Sequence, residues 1–505
     1  MSLSLSILYY FCIAAFICEL AAFYSRTTLS LKRILAAVAV VGALLSVYMI
    51  FALPFWWTLL AIVVLLFRLI NISRIFKGRM HGAYLRSAGL RSAVMLAWMY
   101  IFVLVLGIAA ANNLPISYPV ARSVFVVVAI MNTLTVIVLL LSLYRTVVKT
   151  KRIPATTHLS DDQLPPVSIL VPARNETEDL QQCLTSLLAS DYPKLEIIVY
   201  DDCSQSKTSD IIKSFAHKGV RFIVGTEPGD SWLAKNLAYE RLYEESTGDI
   251  IMFCGVDTRY GPSAVRGLVT TMVSKNKQMM SVMPVRHYGA VDSAILQPMR
   301  YWWELVPPLR LFNRPPVLST CWMIERKVMQ SFGGFASLSR SIIPEHVIAR
   351  NCVLGGLGYS FVRANKYIDV QTVKGLVDQR QTAIRTRYPL LKRRPENVLL
   401  LLMAEVFVFV LPLLVFIVGV MSGSTLLSIS GGVSLFILTI MHVWVVKLSS
   451  PGLTLISIFN LPVVLLAEFV VVIYSMLKYE FGTVVWKERN VCIPAMHVYP
   501  KLPKA

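Results

Sequence analysis

Residues 167–176 read VSILVPARNE, an apolar run that turns polar at its end. A second run of this kind, LEIIVYDDCS, occupies residues 195–204, and the apolar spacing of Leu180–Ala189 between them suits a helix. Strand, helix and strand at this spacing form a βαβ unit. Further apolar runs at Arg221–Val224 and Ile250–Cys254 extend the pattern. The sequence therefore predicts an α/β domain with a mostly parallel sheet.

The composition shows that this domain is part of a membrane protein. Of the 505 residues, 56% are hydrophobic and 15% are charged, against about 25% charged residues in a typical soluble domain. The segment between Pro165 and Pro395 holds 21 of the 29 acidic residues. One soluble domain is thus inserted between two hydrophobic blocks. The same composition excludes a disordered chain, a collagen, a coiled coil and a small disulfide scaffold.

Five apolar stretches precede the domain, each near the ~20 residues that a helix needs to cross a bilayer. They are Ser4–Phe23, Ile34–Ala52, Phe55–Ile70, Ser92–Ala111 and Pro119–Tyr144. Lys and Arg cluster in alternate connections, and basic connections stay in the cytosol. We therefore expect about five N-terminal spans, the first an uncleaved anchor. The inserted domain is expected in the cytosol, and the protein in the plasma membrane.

Three apolar runs follow the domain, at Val398–Val420, Leu426–Val446 and Leu453–Met476, the last broken by Pro462. Three crossings would send the tail outside. The basic residues of the tail favour the cytosol instead. If both indications hold, one run is re-entrant or consists of two half-spans, and the chain has seven to nine spans.

These features divide the chain into six segments. They are N-terminal transmembrane helices (1–149), a linker (150–166), the catalytic domain (167–373), a basic interfacial helix (374–396), about three C-terminal transmembrane helices (397–477) and a basic tail (478–505). The expected fold is a multi-pass α-helical membrane protein with an inserted cytosolic α/β domain.

The formal charge of +20 does not require nucleic acid as a partner, because much of it lies beside hydrophobic spans. Attraction to anionic lipid explains it more simply, and we expect a membrane partner and no nucleic acid. The eight cysteines include no CxxC pair. Their pattern favours reduced structural thiols over a metal cluster.

Polar residues follow three of the predicted strands, and ligands bind beyond the carboxyl ends of strands in open α/β sheets. The three segments are residues 172–176, 201–204 and 255–259. Carboxylates gathered at one edge repel each other unless a cation or hydrogen-bond donors neutralise them. The sequence therefore predicts a divalent metal and a polar ligand at this edge.

Four motifs in order resemble the membrane-embedded family-2 glycosyltransferases, which have a GT-A fold. They are VSILVPARNE, LEIIVYDDCS, DSWLAKNLA (residues 230–238) and GDIIMFCGVDTRYGPSAV (residues 248–265). The likeness covers about Val167–Ala349 and is greatest to members acting on lipids, such as ceramide glucosyltransferase and carotenoid glycosyltransferases. It implies a UDP- or GDP-sugar donor and a lipid acceptor.

The resemblance also assigns the donor site. It implies that Pro172, Asn175 and Glu176 line the nucleotide pocket and that Asp201 and Asp202 hold the base and ribose. Carboxylates accept strongly from an imide N–H or a sugar hydroxyl. The alternative is that Asp202 and Ser204 cap a helix that starts near Ser206.

Two further positions concern the diphosphate. Lys235 lies in a motif where the family has Trp-x-Gly-Lys, and its charge would stabilise the leaving nucleoside diphosphate. A surface lysine is the alternative. Asp257 matches the last carboxylate of the Asp-x-Asp metal motif, whereas Gly255 replaces the first. Mg²⁺ or Mn²⁺ can use one carboxylate together with phosphate oxygens and water.

The resemblance places the catalytic base in a Glu-Asp pair, and this chain has Glu345 followed by His346. Inversion at an anomeric carbon needs a base to take the proton of the acceptor hydroxyl, and a carboxylate or an imidazole can do so. We expect Glu345 first and His346 second. A histidine base would give a rate rising through its free pKa of ~6.5.

Three features bear on the membrane side. Lys374–Arg394 suits an amphipathic helix with its basic face toward lipid phosphates. Arg387-Tyr388 matches only the last pair of the Gln-x-x-Arg-Trp motif of processive synthases, and residues 486–489 resemble the Trp-Lys-Gly-Arg tail of lipid-acting members. Trp302, Trp303 and Trp322 either frame an acceptor channel or are interfacial aromatics.

The sequence thus predicts an inverting glycosyltransferase that moves a sugar from a nucleotide-sugar donor to a lipid hydroxyl. Two alternatives stay open. One is a processive polysaccharide synthase, and the other is a degenerate transferase that acts as a scaffold or sugar-nucleotide sensor. A transporter is disfavoured because the spans hold few charges.

Overall fold

The two apolar runs that begin at Val167 and Leu195 form adjacent strands of a seven-stranded sheet. In the computed structural model, the described residues are Ala15, Cys18, 33–42, 118–151 and 159–491 except 206, 230, 287–292, 308–314, 366 and 488. The sheet has the order β3-β2-β1-β4-β7-β6-β8. Its strands are β1 (Val167–Ala173), β2 (Leu195–Asp201), β3 (Val220–Val224), β4 (Ile250–Cys254), β6 (Met279–Met283), β7 (Cys321–Glu325) and β8 (Tyr359–Arg363).

The sheet is mostly parallel, as predicted. β1 pairs in parallel with β2 and β4, and β2 with β3, whereas β7 runs antiparallel to β4 and β6. A two-stranded sheet pairs β5 (Thr258–Tyr260) with β9 (Val370–Thr372). This second pairing brings the segment after β9 beside the end of β4.

Helices cover both faces of the sheet because successive side chains of a buried strand point to opposite faces. Ile169 and Val171 of β1 lie in one core cluster and Leu170 in the other. The covering helices are α2 (Glu178–Leu188), α3 (Thr208–Ser214) and α5 (Ala264–Ser274) on one face, and α4 (Ala234–Glu245), α7 (Arg326–Ser331) and α8 (Pro344–Leu354) on the other.

The remaining helices are largely apolar, apart from the basic Leu376–Leu390. They are α1 (Tyr118–Lys151), α6 (Ser293–Leu305), α9 (Leu376–Leu390), α10 (Pro395–Glu405), α11 (Leu411–Met421), α12 (Thr425–Ser449) and α13 (Leu461–Phe481), with a π-helical turn, Val406–Val410, joining α10 to α11. Among the described residues, four segments are long and apolar enough to cross a membrane: Phe125–Val148, Pro395–Met421, Thr425–Ser449 and Leu461–Phe481. The fold is therefore a set of membrane-type helices with an inserted GT-A type α/β domain.

The last predicted N-terminal span, Pro119–Tyr144, is contained in α1, and part of the second, Ile34–Ala52, is helical over Arg33–Gly42. The third and fourth predicted spans lie outside the described residues, and of the first only Ala15 and Cys18 are described. Contacts divide the chain into two units, residues 1–128 with 394–400, and residues 129–393 with 401–505. The site described below lies wholly in the second unit.

The C-terminal helices bear on the conflict over the tail. The backbone N–H of Arg286, three residues past β6, donates to Ser449 at the end of α12 (2.8 Å). Two 3₁₀ turns then lead to α13, whose first turn holds Pro462. Beyond α13, Arg489 reaches Asp202 of the α/β domain (3.0 Å). The chain thus contacts the α/β domain both before and after α13.

Candidate active site

The carboxyl edge of the sheet forms one cleft that brings residues from distant parts of the sequence together. Of the nine residues predicted for the site, five line this cleft: Pro172, Glu176, Asp202, Lys235 and Asp257. Pro172 lies near the end of β1, and Glu176, Asp202 and Asp257 follow β1, β2 and β4. Lys235 lies in the first turn of α4. The parallel strands place their ends at one edge, which is the reason for this convergence.

Asn175 and Asp201 differ from the prediction, because their side chains hold loops together and do not line the cleft. Asn175 adopts a left-handed backbone (φ 50°), and its side-chain Oδ1 accepts a hydrogen bond from the N–H of Gln205 (2.8 Å). Asp201 accepts the N–H of Ser204 (3.1 Å) and the hydroxyl of Ser209. The capping role considered for Asp202 is not seen, since no side chain caps α3, and Asp202 is instead the carboxylate that faces the cleft.

Asp202 and Glu176 are each paired with a cation from the end of the described chain. Arg489 contacts Asp202 (3.0 Å), and Lys487 contacts Glu176 (2.7 Å). Both cations lie on a hairpin of β10 (Val485–Trp486) and β11 (Arg489–Asn490). Burial raises the pKa of Asp202 to about 6, although Arg489 and Arg174 oppose the shift. The resemblance of residues 486–489 to a family tail motif did not predict that Lys487 and Arg489 lie beside these two carboxylates.

Asp257 is paired with Lys374, a residue that sequence reasoning did not single out. The Lys374 Nζ atom lies 3.1 Å from Asp257 Oδ2. The geometry follows from the β5–β9 pairing, since the N–H of Val373 donates to the Asp257 carbonyl (3.0 Å) and sets Lys374 beside its side chain. Burial opposes ionisation, but the Lys374 ammonium outweighs it and lowers the pKa of Asp257.

At the two positions of the metal motif, Asp257 alone supplies a carboxylate ligand for a divalent ion. Gly255 supplies no side chain, and a Cβ built there would lie 2.6 Å from Asp257 Oδ1. The described residues contain no group of three or more His, Cys, Asp or Glu side chains that could hold a metal. The other ligands would be diphosphate oxygens and water, an arrangement that Mg²⁺ accepts.

Lys235 lies in the first turn of α4, with its Nζ 5.0 Å from the centre of the Tyr239 ring and 3.9 Å from Glu345 Oε2. Its side chain is 15% exposed, so it is not a surface lysine. Burial lowers the pKa of Lys235 to about 8, against the opposing effect of Glu345.

Glu345 and His346 do not line the cleft. Glu345 is 2% exposed and begins α8, where the helix N-terminus favours a negative charge. His346 lies between two carboxylates, with Nδ1 3.8 Å from Glu345 and Nε2 3.6 Å from Glu304 of α6. Burial would raise the pKa of Glu345, but Lys235 and His346 lower it to about 2. Burial would lower the pKa of His346, but Glu304 and Glu345 raise it.

The basic stretch 374–394 differs from its predicted orientation. α9 buries Arg385 and Arg387, so neither faces lipid phosphates. Arg385 lines the cleft and lies over the Trp486 ring (4.7 Å). Arg387 pairs with Glu468 of α13 (2.9 Å). A helical spacing shows which residues share a face, but not whether that face meets lipid or protein.

The three tryptophans separate. Trp322 is fully buried in the α/β core and stacks on Phe253 at 4.1 Å, so it is neither a channel residue nor an interfacial one. Trp302 and Trp303 line an apolar groove among the helices. The six cysteines in the described part of the chain are free thiols, as predicted. Cys12 and Cys492 lie outside the described residues.

Residues 168–333 match the family described as Glycosyl transferase family 2, which confirms the resemblance for about a third of the chain. The probable glycosyltransferase YdaM of Bacillus subtilis is 28% identical over 183 residues, 34% of this chain and 43% of the relative. The 4,4'-diaponeurosporenoate glycosyltransferase of Staphylococcus haemolyticus is 27% identical over 120 residues, 23% of this chain and 32% of the relative. The chain thus matches less than half the length of these curated relatives.

Solved structures are also similar, at low scores. The mannosyltransferase PcManGT from Pyrobaculum calidifontis, in complex with GDP-Man and Mn²⁺, is 16% identical with a TM-score of 0.41, covering 70% of this chain and 98% of that one. Glucosyl-3-phosphoglycerate synthase from Mycobacterium tuberculosis, with Mn²⁺ and uridine-diphosphate, is 16% identical with a TM-score of 0.28, covering 46% of this chain and 84% of that one. Scores this low carry no argument about the present site.

Proposed function

We propose that this chain is an inverting glycosyltransferase that moves a sugar from a UDP- or GDP-sugar to a hydroxyl of a membrane lipid. The observation that carries the proposal is the single cleft in which the carboxylates Glu176, Asp202 and Asp257 meet the cations Lys235, Lys374 and Arg385. Carboxylates suit the sugar and base hydrogen-bond donors of a nucleotide, and cations suit its diphosphate.

The donor's base and ribose are assigned to Asp202, and its diphosphate to Lys235, Lys374 and Arg385. A Mg²⁺ or Mn²⁺ ion held by Asp257 would supply further positive charge to the leaving group. The buried cations are fixed before the reaction, so they stabilise developing charge without reorganising. Arg489 and Lys487 already form ion pairs with the carboxylates of Asp202 and Glu176. Donor binding therefore has to displace these two side chains or share their partners.

Glu345 is proposed as the base that takes the proton of the acceptor hydroxyl. Its low pKa keeps it ionised at neutral pH. Glu304 and Glu345 raise the pKa of His346, which favours the protonated imidazole, a form that cannot accept the proton. Glu345 is buried beside Lys235, so the acceptor has to reach it after local rearrangement. The neighbouring apolar helices support a lipid as the acceptor and a membrane location. The Lys and Arg clusters in alternate connections support a cytosolic domain.

A transfer assay tests the proposal. The purified full chain in detergent is given radiolabelled UDP- or GDP-sugars and a membrane lipid extract, and labelled lipid is measured after organic extraction. We expect product with one donor and about a 100-fold loss with Asp257→Ala. Lys275→Ala, on the domain surface after α5, is the control. No product with any donor, together with unchanged UDP and GDP binding by Asp257→Ala, would favour a degenerate sensor or scaffold instead.

Mass spectrometry of the product separates single transfer from the processive alternative. The proposal expects one sugar per lipid. The position of Arg387, which matches a processive motif residue, supports this expectation because it pairs with Glu468 and does not line the cleft. A ladder of masses would overturn single transfer while leaving the transferase assignment in place.

A further inference from the structure

A groove of about 560 Å³ lies between α1, α6 and the junction of α10 with the π-helical turn. Its walls are apolar apart from the polar atoms of four side chains, Thr135, Glu405, Trp302 and Trp303. Leu134 and Val138 on α1 are 56% and 55% exposed, so the groove is open along this side. Its size and lining suit a lipid chain.

Two polar groups within the groove lack hydrogen-bond partners. Glu405 is 1% exposed, and neither of its carboxylate oxygens accepts a hydrogen bond from the described residues. The indole Nε1 of Trp303 is also buried without an acceptor in the described part of the chain. Buried polar groups are normally paired, and an acidic side chain within an apolar helix is costly to maintain. Glu405 and Trp303 therefore indicate a bound ligand that has both a hydrogen-bond donor and a hydrogen-bond acceptor.

The local helix geometry presents Glu405 to the groove. Glu405 is the last residue of α10, and the π-helical turn that follows contributes Val408 and Phe409 to the same wall. Single π-helical turns inside α-helices occur frequently at functional sites. The irregular turn therefore coincides with the unpaired carboxylate and the groove.

One helix joins this groove to the proposed base. On α6, Trp302 and Trp303 line the groove, and the next residue, Glu304, lies 3.6 Å from His346, which neighbours Glu345. A lipid held in the groove would therefore lie against the helix that also contacts the base region. The apolar lining of the groove makes a buried charge costly, which disfavours a lipid phosphate at this position and favours an uncharged head group.

We propose that the groove binds the apolar chain of an uncharged, hydroxyl-bearing lipid. Glu405 accepts a hydrogen bond from that hydroxyl or from an amide of the same lipid, and Trp303 donates to a lipid oxygen. Naming this lipid as the acceptor rests on the proposed function. The binding site itself does not, because it follows from the groove and its two unpaired groups.

Photolabelling of the full chain in detergent, without any nucleotide sugar, tests the site. The probe is a photoreactive diacylglycerol with a clickable tag, and its matched control has the free hydroxyl methylated. We expect the hydroxyl probe to label the wild type about fivefold more than the methyl ether, the range of one hydrogen bond. Peptide mapping should place the label on α1, α6 or α10.

The variants separate polar recognition from simple occupancy. Glu405→Leu should abolish the preference for the hydroxyl probe, whereas Glu405→Gln should retain it. Leu134→Trp with Val138→Trp should lower labelling by both probes about fivefold or more by filling the open side. These two positions are exposed, so the substitutions leave the core intact. Leu414→Trp, an exposed site on α11 outside the groove, should change nothing.

Equal labelling of the wild type by both probes, or label mapped away from the three helices, would overturn the proposal. Failure of sugar transfer with specific labelling intact would remove only the assignment of the lipid as acceptor. Transfer without specific labelling would instead place the acceptor elsewhere and leave the transferase proposal standing.

Discussion

The ammonium of Lys374 lies 3.1 Å from Asp257 Oδ2, so a lysine already occupies the carboxylate that the family pattern assigns to a metal. Gly255 leaves this carboxylate without the second acidic side chain of the motif. A divalent ion therefore has to compete with a covalently tethered cation. The donor's diphosphate changes this balance, because it offers partners to both the ion and Lys374.

Lys374→Met should strengthen binding of Mn²⁺ to the donor-free protein. Two charges 4 Å apart at an effective dielectric constant of ~20 interact by about 4 kcal/mol, so a tenfold gain is a modest expectation. Electron paramagnetic resonance of free Mn²⁺ measures it directly. Lys487→Met, which frees Glu176 and leaves Asp257 paired, is the matched control. Unchanged Mn²⁺ binding by Lys374→Met would show that Lys374 and the ion do not share Asp257.

Binding of UDP or GDP should weaken as pH rises through about 8. Burial lowers the pKa of Lys235 to about 8, so its ammonium is present below that pH and lost above it. The loss of one buried positive charge should cost about tenfold in nucleotide affinity. Fluorescence titration between pH 6 and 10 measures it.

Lys235→Arg supplies the control for this pH dependence, because arginine stays protonated throughout the range. Its nucleotide affinity should show no fall near pH 8. Lys235→Met should bind weakly at every pH. A fall near pH 8 that persists in both variants would assign the titration to another group.

Glu345→Gln should lower the transfer rate by about 10²–10⁴-fold, the usual contribution of a general base. His346→Gln should lower it by less than about tenfold, because the proposal gives the imidazole the role of supporting Glu345 and not that of accepting the proton. Initial rates at saturating donor measure both. A wild-type rate that rises above pH 6.5, and a His346→Gln variant that lacks this rise, would make His346 the base.

Arg387 and Glu468 form an ion pair 2.9 Å long whose side chains are 6% and 2% exposed. Removing one partner leaves a buried charge unpaired, so Arg387→Met should destabilise the protein by about 3–5 kcal/mol. Thermal unfolding in detergent measures the loss. The double variant Arg387→Met with Glu468→Leu should recover most of it, since it removes both charges. A double variant as unstable as the single one would contradict the pairing.

Much of the α/β domain could be predicted because its signal is local. β4 has the bounds of the apolar run at residues 250–254, and β1 and β2 extend two residues past Val171 and one residue past Tyr200, where their apolar stretches end. Buried parallel strands are continuous apolar segments, so their position is visible without any neighbour. Five of the nine predicted site residues line the cleft for the same reason, since strand ends in such a sheet share an edge.

Pairing partners could not be predicted in this way. Lys374 reaches Asp257 only through the pairing of β9 with β5, across more than a hundred residues. Arg489 reaches Asp202 only because α13 returns the chain to the domain. The same limit explains why the predicted orientation of the basic helix was wrong. Arg387 faces Glu468, and no periodicity within residues 374–394 reveals this partner.

The order of apolar and polar residues along the chain determined the layers of this protein, its inserted domain and the edge at which its polar groups gather, since burial and strand direction follow from local pattern. Tertiary structure alone decided which charge neutralises which carboxylate, that Asp201 holds a loop while Asp202 faces the cleft, and that Glu405 lies in an apolar groove without a hydrogen-bond partner among the described residues. Electrostatic pairing depends on distance in space, and only the packed chain sets that distance.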